Sequence, residues 1–153
     1  MKKLVILVLA IMSSYCFASA QSDNNENFFL EKVLSGNVNF ADRQTTIDDL
    51  VWNAHPTYQG VYLKHLILGN NTGNQLSYHI VKIEPNCILD THLHDGKIEI
   101  HEVVAGNGTM ILDGNEITYT VGQICVIPAN MLHSVIAGKD GLILFAKFTP
   151  ALQ

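Results

Sequence analysis

Three imidazoles and one carboxylate, His92, His94, Glu99 and His133, are the side chains of this sequence best placed to do chemistry. Imidazole nitrogen and carboxylate oxygen together suit one divalent transition metal, Fe, Mn, Ni, Cu or Zn. On a five- or six-coordinate ion they leave positions for substrate, water or dioxygen. His92 and His94 are two residues apart, so on a β-strand both point to the same side. Asp95-Gly96-Lys97 is a turn sequence, which predicts that the strand starting near Ile98 reverses to lie beside the one carrying the two histidines. His133 must come from a distant strand. An isolated H-x-H is weak evidence for a metal; the four residues together carry the reading.

Parity along the strand after the turn sorts the remaining candidates. His101 shares the parity of Glu99, so it is expected to line the pocket, either as the catalytic group that transfers a proton or bonds a substrate oxygen, work an imidazole suits near neutral pH, or as a polar wall residue bonded to a neighbouring strand. Glu102 has the opposite parity and is assigned to the exterior. Met110 reads as lining, not as a ligand. His55, His65 and His79 read as surface or packing residues, and Tyr58, Tyr62, Tyr78 and Tyr119 either close the mouth of the site or pack within strands.

The elements that must hold these residues are strands. From Val61 onward short apolar runs cover 61–68, 76–83, 88–94, 98–104, 109–112, 117–120, 124–127, 133–137 and 142–148. Gly- and Asn-rich separators divide them, including Gly106-Asn107-Gly108 and Gly138-Lys139-Asp140-Gly141. Short strands at regular spacing with such turns predict a closed or double-sheet antiparallel fold. Before them, Thr45 and Thr46 each stand three residues ahead of an aspartate, a helix-start pattern that predicts a helical turn over 47–52. Trp52, in this segment before the barrel, is expected to anchor the N-terminal arm.

Around the four candidate ligands the chain resembles a cupin. The first cupin motif, G-x5-H-x-H-x(3,4)-E-x6-G, is matched by Asn86, His92, His94, Glu99 and Gly106. The second, G-x5-P-x-G-x2-H-x3-N, is matched by Gly122, Pro128, Asn130, His133 and Ala137. The spacing fits throughout. Asn86 and Asn130 stand where the family has glycine, a mild change because Asn tolerates positive φ better than most residues. Ala137 replaces an asparagine and deletes no ligand. The resemblance spans about 76–148. It implies an all-β, double-stranded β-helix, the jelly-roll cupin barrel, over 56–153, preceded by a lead-in and short N-terminal arm over 21–55. It implies metal at His92, His94, Glu99 and His133, with dioxygenase-like chemistry on iron or copper and isomerase- or lyase-like chemistry on zinc, nickel or manganese. A non-catalytic ligand-binding or metal-sensing module is the other reading.

Composition narrows the partners. Met1 to Ala20 has Lys2 and Lys3, an apolar run over 4–12 and a closing Ala18-Ser19-Ala20, the anatomy of a secretory signal peptide; a periplasmic or secreted domain is expected after cleavage. The chain carries a net charge of −5, and losing Lys2 and Lys3 makes it two units more negative. Such a surface repels nucleic acid and anionic membranes, so neither is expected as a partner. Arg43 is the sole arginine, which also argues against polyanionic substrates. A small molecule held at the metal fits better, and the apolar residues Phe28, Phe29, Leu30, Val33 and Leu34 leave room for a homodimer. Cys87 and Cys125 either form a disulfide or stay separate; Cys125 lies inside a core-like run, which favours separate thiols.

Overall fold

The computed structural model describes residue 28 and residues 30–152. The expected signal peptide and the polar lead-in over 21–27 lie outside the described residues. Residues 30–34 are helical, and Ser35–Gln153 makes a separate compact unit. No helix among the described residues is long and apolar enough to cross a membrane.

Ten strands build the second unit: β1 (Asn37–Asn39), β2 (Gln44–Thr46), β3 (Asn53–Ala54), β4 (Val61–Ile67), β5 (Ser77–Ile83), β6 (Ile88–His92), β7 (Ile98–Leu112), β8 (Asn115–Thr120), β9 (Ile124–Ile127) and β10 (His133–Thr149). All pairing is antiparallel: β1 pairs β2 in a two-stranded sheet, and the other eight strands form one sheet in the order β3-β4-β5-β10-β7-β8, with β6 also on β10 and β9 also on β7. This is a jelly-roll barrel, as expected.

Two expected turns are instead interiors of long strands. β7 runs unbroken through Gly106-Asn107-Gly108, and β10 runs unbroken through 138–141. At that place the register jumps from Ala137↔Gly108 to Leu142↔Gly106, so four residues of β10 face a single residue of β7. Such a bulge bends and twists both strands sharply. The first half of β7 thereby pairs with β9 and the second half with β8. Gly106 and Gly141 supply the left-handed backbone that the bend needs, with φ of 75° and 80°. Glycine signals left-handed φ, and a bulge uses it as readily as a turn.

A second expectation fails at Asp95-Gly96-Lys97. Gly96 does turn the chain, at φ 64°, but β7 does not lie beside β6. β6 pairs with β10, placing His133 opposite His92. The turn passes the chain across the barrel instead of closing a hairpin, because β10 takes the place next to β6. Over 47–52 the chain makes only a turn, with two i+3→i hydrogen bonds, Asp49 to Thr46 and Leu50 to Ile47. Lys64 Nζ donates to the Ile47 carbonyl at 2.9 Å and lies 5.3 Å from the Trp52 ring centre, which ties this segment to β4.

Inward residues fill the barrel as strand alternation requires. Leu144, Met110, Tyr119 and Val135 are fully buried, and each large apolar side chain so enclosed contributes about 1.5–3 kcal/mol. Cys87 and Cys125 are unpaired, the second of them buried.

His79 is also fully buried. Its Nδ1 lies 2.9 Å from His65 Nδ1, and its Nε2 lies 3.0 Å from Ser77 Oγ. Burial, then the neighbouring His65, push its pKa down to about 4, while Glu99 pulls weakly the other way. Between its ordinary value of 6.5 and about 4 the unfolded chain binds more protons than the folded one, so His79 removes stability as pH falls through that window. Urea titrations of the wild type are expected to lose about 2 kcal/mol between pH 7 and pH 5 from this residue. His79→Gln should flatten that dependence by the same amount; an unchanged pH slope would refute it.

Candidate metal centre

His92 ends β6, Glu99 is the second residue of β7, and His133 opens β10. His94 lies two residues beyond β6, in the chain leading to the Gly96 turn. Asn130 fastens that turn: its Oδ1 accepts from Gly96 N–H at 3.0 Å and its own N–H donates to the His94 carbonyl at 3.2 Å. It does so at φ 65°, and Asn86 sits at φ 59°, so both asparagines occupy the left-handed conformation expected of the glycines they replace. Asn130→Gly would keep the backbone and lose one hydrogen bond, at about 1 kcal/mol. Asn130→Ala would add about 1–2 kcal/mol of left-handed strain. Chemical denaturation distinguishes the two, and equal costs would contradict this account.

The structure brings His92, His94, Glu99 and His133 together with one donor atom from each lying within 4.8 Å of the others. Two donors on opposite sides of an ion, each about 2.1 Å from it, would be about 4.2 Å apart. Small side-chain rotations close that difference. Two imidazoles are oriented in advance: His92 Nδ1–H donates to the Asp90 carbonyl at 2.7 Å, and His133 Nδ1–H donates to the Met131 carbonyl at 3.0 Å. A carbonyl can only accept, so the proton sits on Nδ1 and the Nε2 lone pair faces inward, as a metal-binding imidazole requires.

At the centre, Glu99 Oε2 is 3.1 Å from His133 Nε2 and 3.3 Å from His94 Nε2. Yet Glu99 Oε2 and His133 Nε2 are both buried without an aligned hydrogen bond. Buried polar atoms are rarely left so, and two lone-pair donors converging on a common point are what a cation would satisfy. Burial alone would raise the Glu99 pKa; the adjacent His101, its hydrogen bond, and the approach of His133 and His94 outweigh burial and hold the carboxyl well below its usual range. Burial pushes His92 down to about 4, with smaller opposing and reinforcing effects from Asp90 and the neighbouring imidazoles. His133 moves the other way: burial would lower it, but Glu99 and then the Met131 carbonyl raise it, so a metal would have to displace a proton from this ring. The carboxylate and the neutral imidazole are the ligating forms. The donor set fits a metal.

His101 points inward, as parity predicts, but it is 1% exposed and both its nitrogens are engaged. Nε2 lies 2.7 Å from Glu99 Oε1, the other oxygen from the one beside His94 and His133, and Nδ1 lies 3.1 Å from the Tyr119 hydroxyl. Burial, and then the adjacent Cys125 thiol, raise the Tyr119 pKa and keep the phenol protonated. Sequence reasoning placed neither thiol near the ligands, yet Cys125 is directly opposite His101 in the β7–β9 register. The signal existed only in that register. Phe148, whose ring centre is 4.9 Å from that of His94, was missed for the same reason.

Glu102 points outward to Lys147 at 2.7 Å. Met110 is fully buried in the core. Of the other aromatics, Tyr58 lies nearest the site, 6.0 Å from the His92 ring, with His55 stacked on it at 4.6 Å. His65 and His79 form their own pair.

Residues 79–145 match the family model for the Cupin domain. Among solved structures, the chain is similar to an RmlC-like cupin from Shewanella frigidimarina at 18% identity and TM-score 0.63, covering 76% of this chain and 96% of that one. It is similar to a predicted oxalate decarboxylase from Thermotoga maritima at 20% identity and TM-score 0.63, covering 67% and 95%. It also resembles the polyketide cyclase RemF from Streptomyces resistomycificus at 19% identity and TM-score 0.60, covering 71% and 78%. A comparison with curated proteins finds no match. At these identities the structural likenesses speak for the fold.

Proposed function

Because this chain is a cupin-superfamily protein, we propose that His92, His94, Glu99 and His133 hold one divalent transition metal and that the protein acts on a small oxygenated molecule bound there, by dioxygenase-like or isomerase/lyase-like chemistry. The observation that carries this reading is the pair of buried atoms without a hydrogen bond, Glu99 Oε2 and His133 Nε2, aimed at one point. Bound there, the metal would supply Lewis-acid polarisation or, if redox-active, activation of dioxygen. The protein's own part is to keep three Nε2 lone pairs and one carboxylate oxygen in place. The half-buried His92 and His94 mark the side open to a ligand, with Tyr58 beside it, while Glu99 and His133 are sealed behind them. Small-molecule activities in the names of two structural neighbours, a decarboxylase and a cyclase, support this class of substrate.

The second reading, a non-catalytic ligand-binding or metal-sensing module, uses the same site without turnover. Elemental analysis of protein purified without chelator or affinity metal tests the shared premise, with stoichiometric metal expected; protein that stays metal-free after loading with each of Fe, Mn, Ni, Cu and Zn would overturn both readings. Oxygen uptake and product analysis with catechols, diketones, thiols and sugars then separate them, since turnover is expected only of the enzyme. We further propose export of the chain and cleavage after Ala20, on the strength of the signal-like N-terminus. Intact-mass measurement of exported protein tests it; a mass that retains residues 1–20 would refute cleavage.

A further inference from the structure

Glu99 has two oxygens with different surroundings. Oε2 faces His94 and His133, whereas Oε1 takes a 2.7 Å hydrogen bond from His101 Nε2–H. His101 is itself fixed at its far nitrogen by Tyr119, 3.1 Å away, and it is walled in by β9 and β10, opposite Cys125 and Ala146 in register. The Tyr119 hydroxyl can donate to a neutral Nδ1 or accept from a protonated one, so the ring is held in either state. Nothing comparable holds Oε2.

Resting on the proposed metal site, we infer that His101, braced by Tyr119, is the positioning residue that commits Glu99 to binding through Oε2 alone. A carboxylate free at both oxygens can chelate and occupy two coordination positions. One tied back at Oε1 occupies a single position, so three imidazoles and Glu99 fill four places and a six-coordinate ion keeps two for exchangeable ligands. His101 thereby sets how many small molecules the site can take at once. With both nitrogens engaged and almost no exposure, it acts through Glu99 and does not face the ligand.

The test loads purified wild type, His101→Leu, His101→Gln and Tyr119→Phe with Mn(II), for water-proton relaxation, and with Co(II), for visible spectra and affinity. Outer-shell partners of metal ligands typically carry about 10–100-fold in affinity. His101→Leu is expected to bind Co(II) about 10-fold more weakly, with a changed spectrum and about half the inner-sphere water relaxation of the wild type. The amide of His101→Gln can still donate to Oε1 and should recover much of both signals. If His101→Leu fails to fold, Tyr119→Phe, which removes one hydroxyl, carries the test through a loss of about 2–5-fold in affinity with an altered spectrum. Wild-type spectra, relaxation and affinity in His101→Leu, or in Tyr119→Phe where His101→Leu does not fold, would overturn the inference, as would a defect that His101→Gln leaves unrepaired. Wild-type protein that takes up neither ion would instead defeat the metal site itself.

Discussion

His133→Ala is expected to weaken metal binding by roughly 100-fold or more. Protein sites with four ligands hold zinc with about 10–16 kcal/mol, so one ligand's share is on the order of 3 kcal/mol, and each 1.4 kcal/mol is tenfold. His133 is a severe loss because its Nδ1–H bond to Met131 already fixes its direction, and alanine removes the imidazole nitrogen 3.1 Å from Glu99 Oε2. The control is Glu102→Gln, on the same strand as Glu99 but on the outer face with Lys147, which should bind metal within about twofold of wild type because surface ion pairs contribute little. Chelator competition measures both. Equal affinity in the two variants would refute the assignment of the centre.

Gly106→Ala is expected to destabilise the barrel by about 2–5 kcal/mol, combining about 1–2 kcal/mol of left-handed strain with about 1–3 kcal/mol of overpacking. A Cβ there would meet the Gly141 carbonyl oxygen at 2.1 Å and Leu142 Cα at 3.2 Å, with φ at +75°. Those atoms are backbone of the paired β10 and cannot rotate away. Gly122→Ala separates the two causes: its φ is +88° but nothing lies within 4 Å of an added methyl, so only the conformational cost of about 1–2 kcal/mol remains. Urea denaturation gives both values. A Gly106→Ala protein no less stable than Gly122→Ala would show that the bulge relaxes and that the close approach is not a constraint. The same bend sends β7 onward from the strand segment holding Glu99 and His101 to the segment paired with Tyr119, so metal affinity should fall with stability in this variant.

The order and spacing of residues determined what depends on local geometry. Side chains two apart on a strand share a face, so once the motif spacing put Glu99 inward, parity put His101 inward and Glu102 outward. Left-handed φ at Asn86 and Asn130 followed from the resemblance, whose motifs have glycine at those two positions, and from asparagine's tolerance of that conformation. Most strands were legible because apolar runs between Gly and Asn breaks need only neighbouring residues to define them. Tertiary structure decided what depends on partners distant in the chain. It chose β10 over β7 as the neighbour of β6, and it used Gly106 and Gly141 to bend continuous strands where a local signal reads equally as a turn. It also set Tyr119 and Cys125 around His101, so that a side chain expected from parity to face inward is buried with one nitrogen on Glu99 and the other on Tyr119. Strand alternation fixes a face but carries no information about which strand lies alongside or in what register. Those follow from closing the barrel as a whole, where every inward side chain must fit at once.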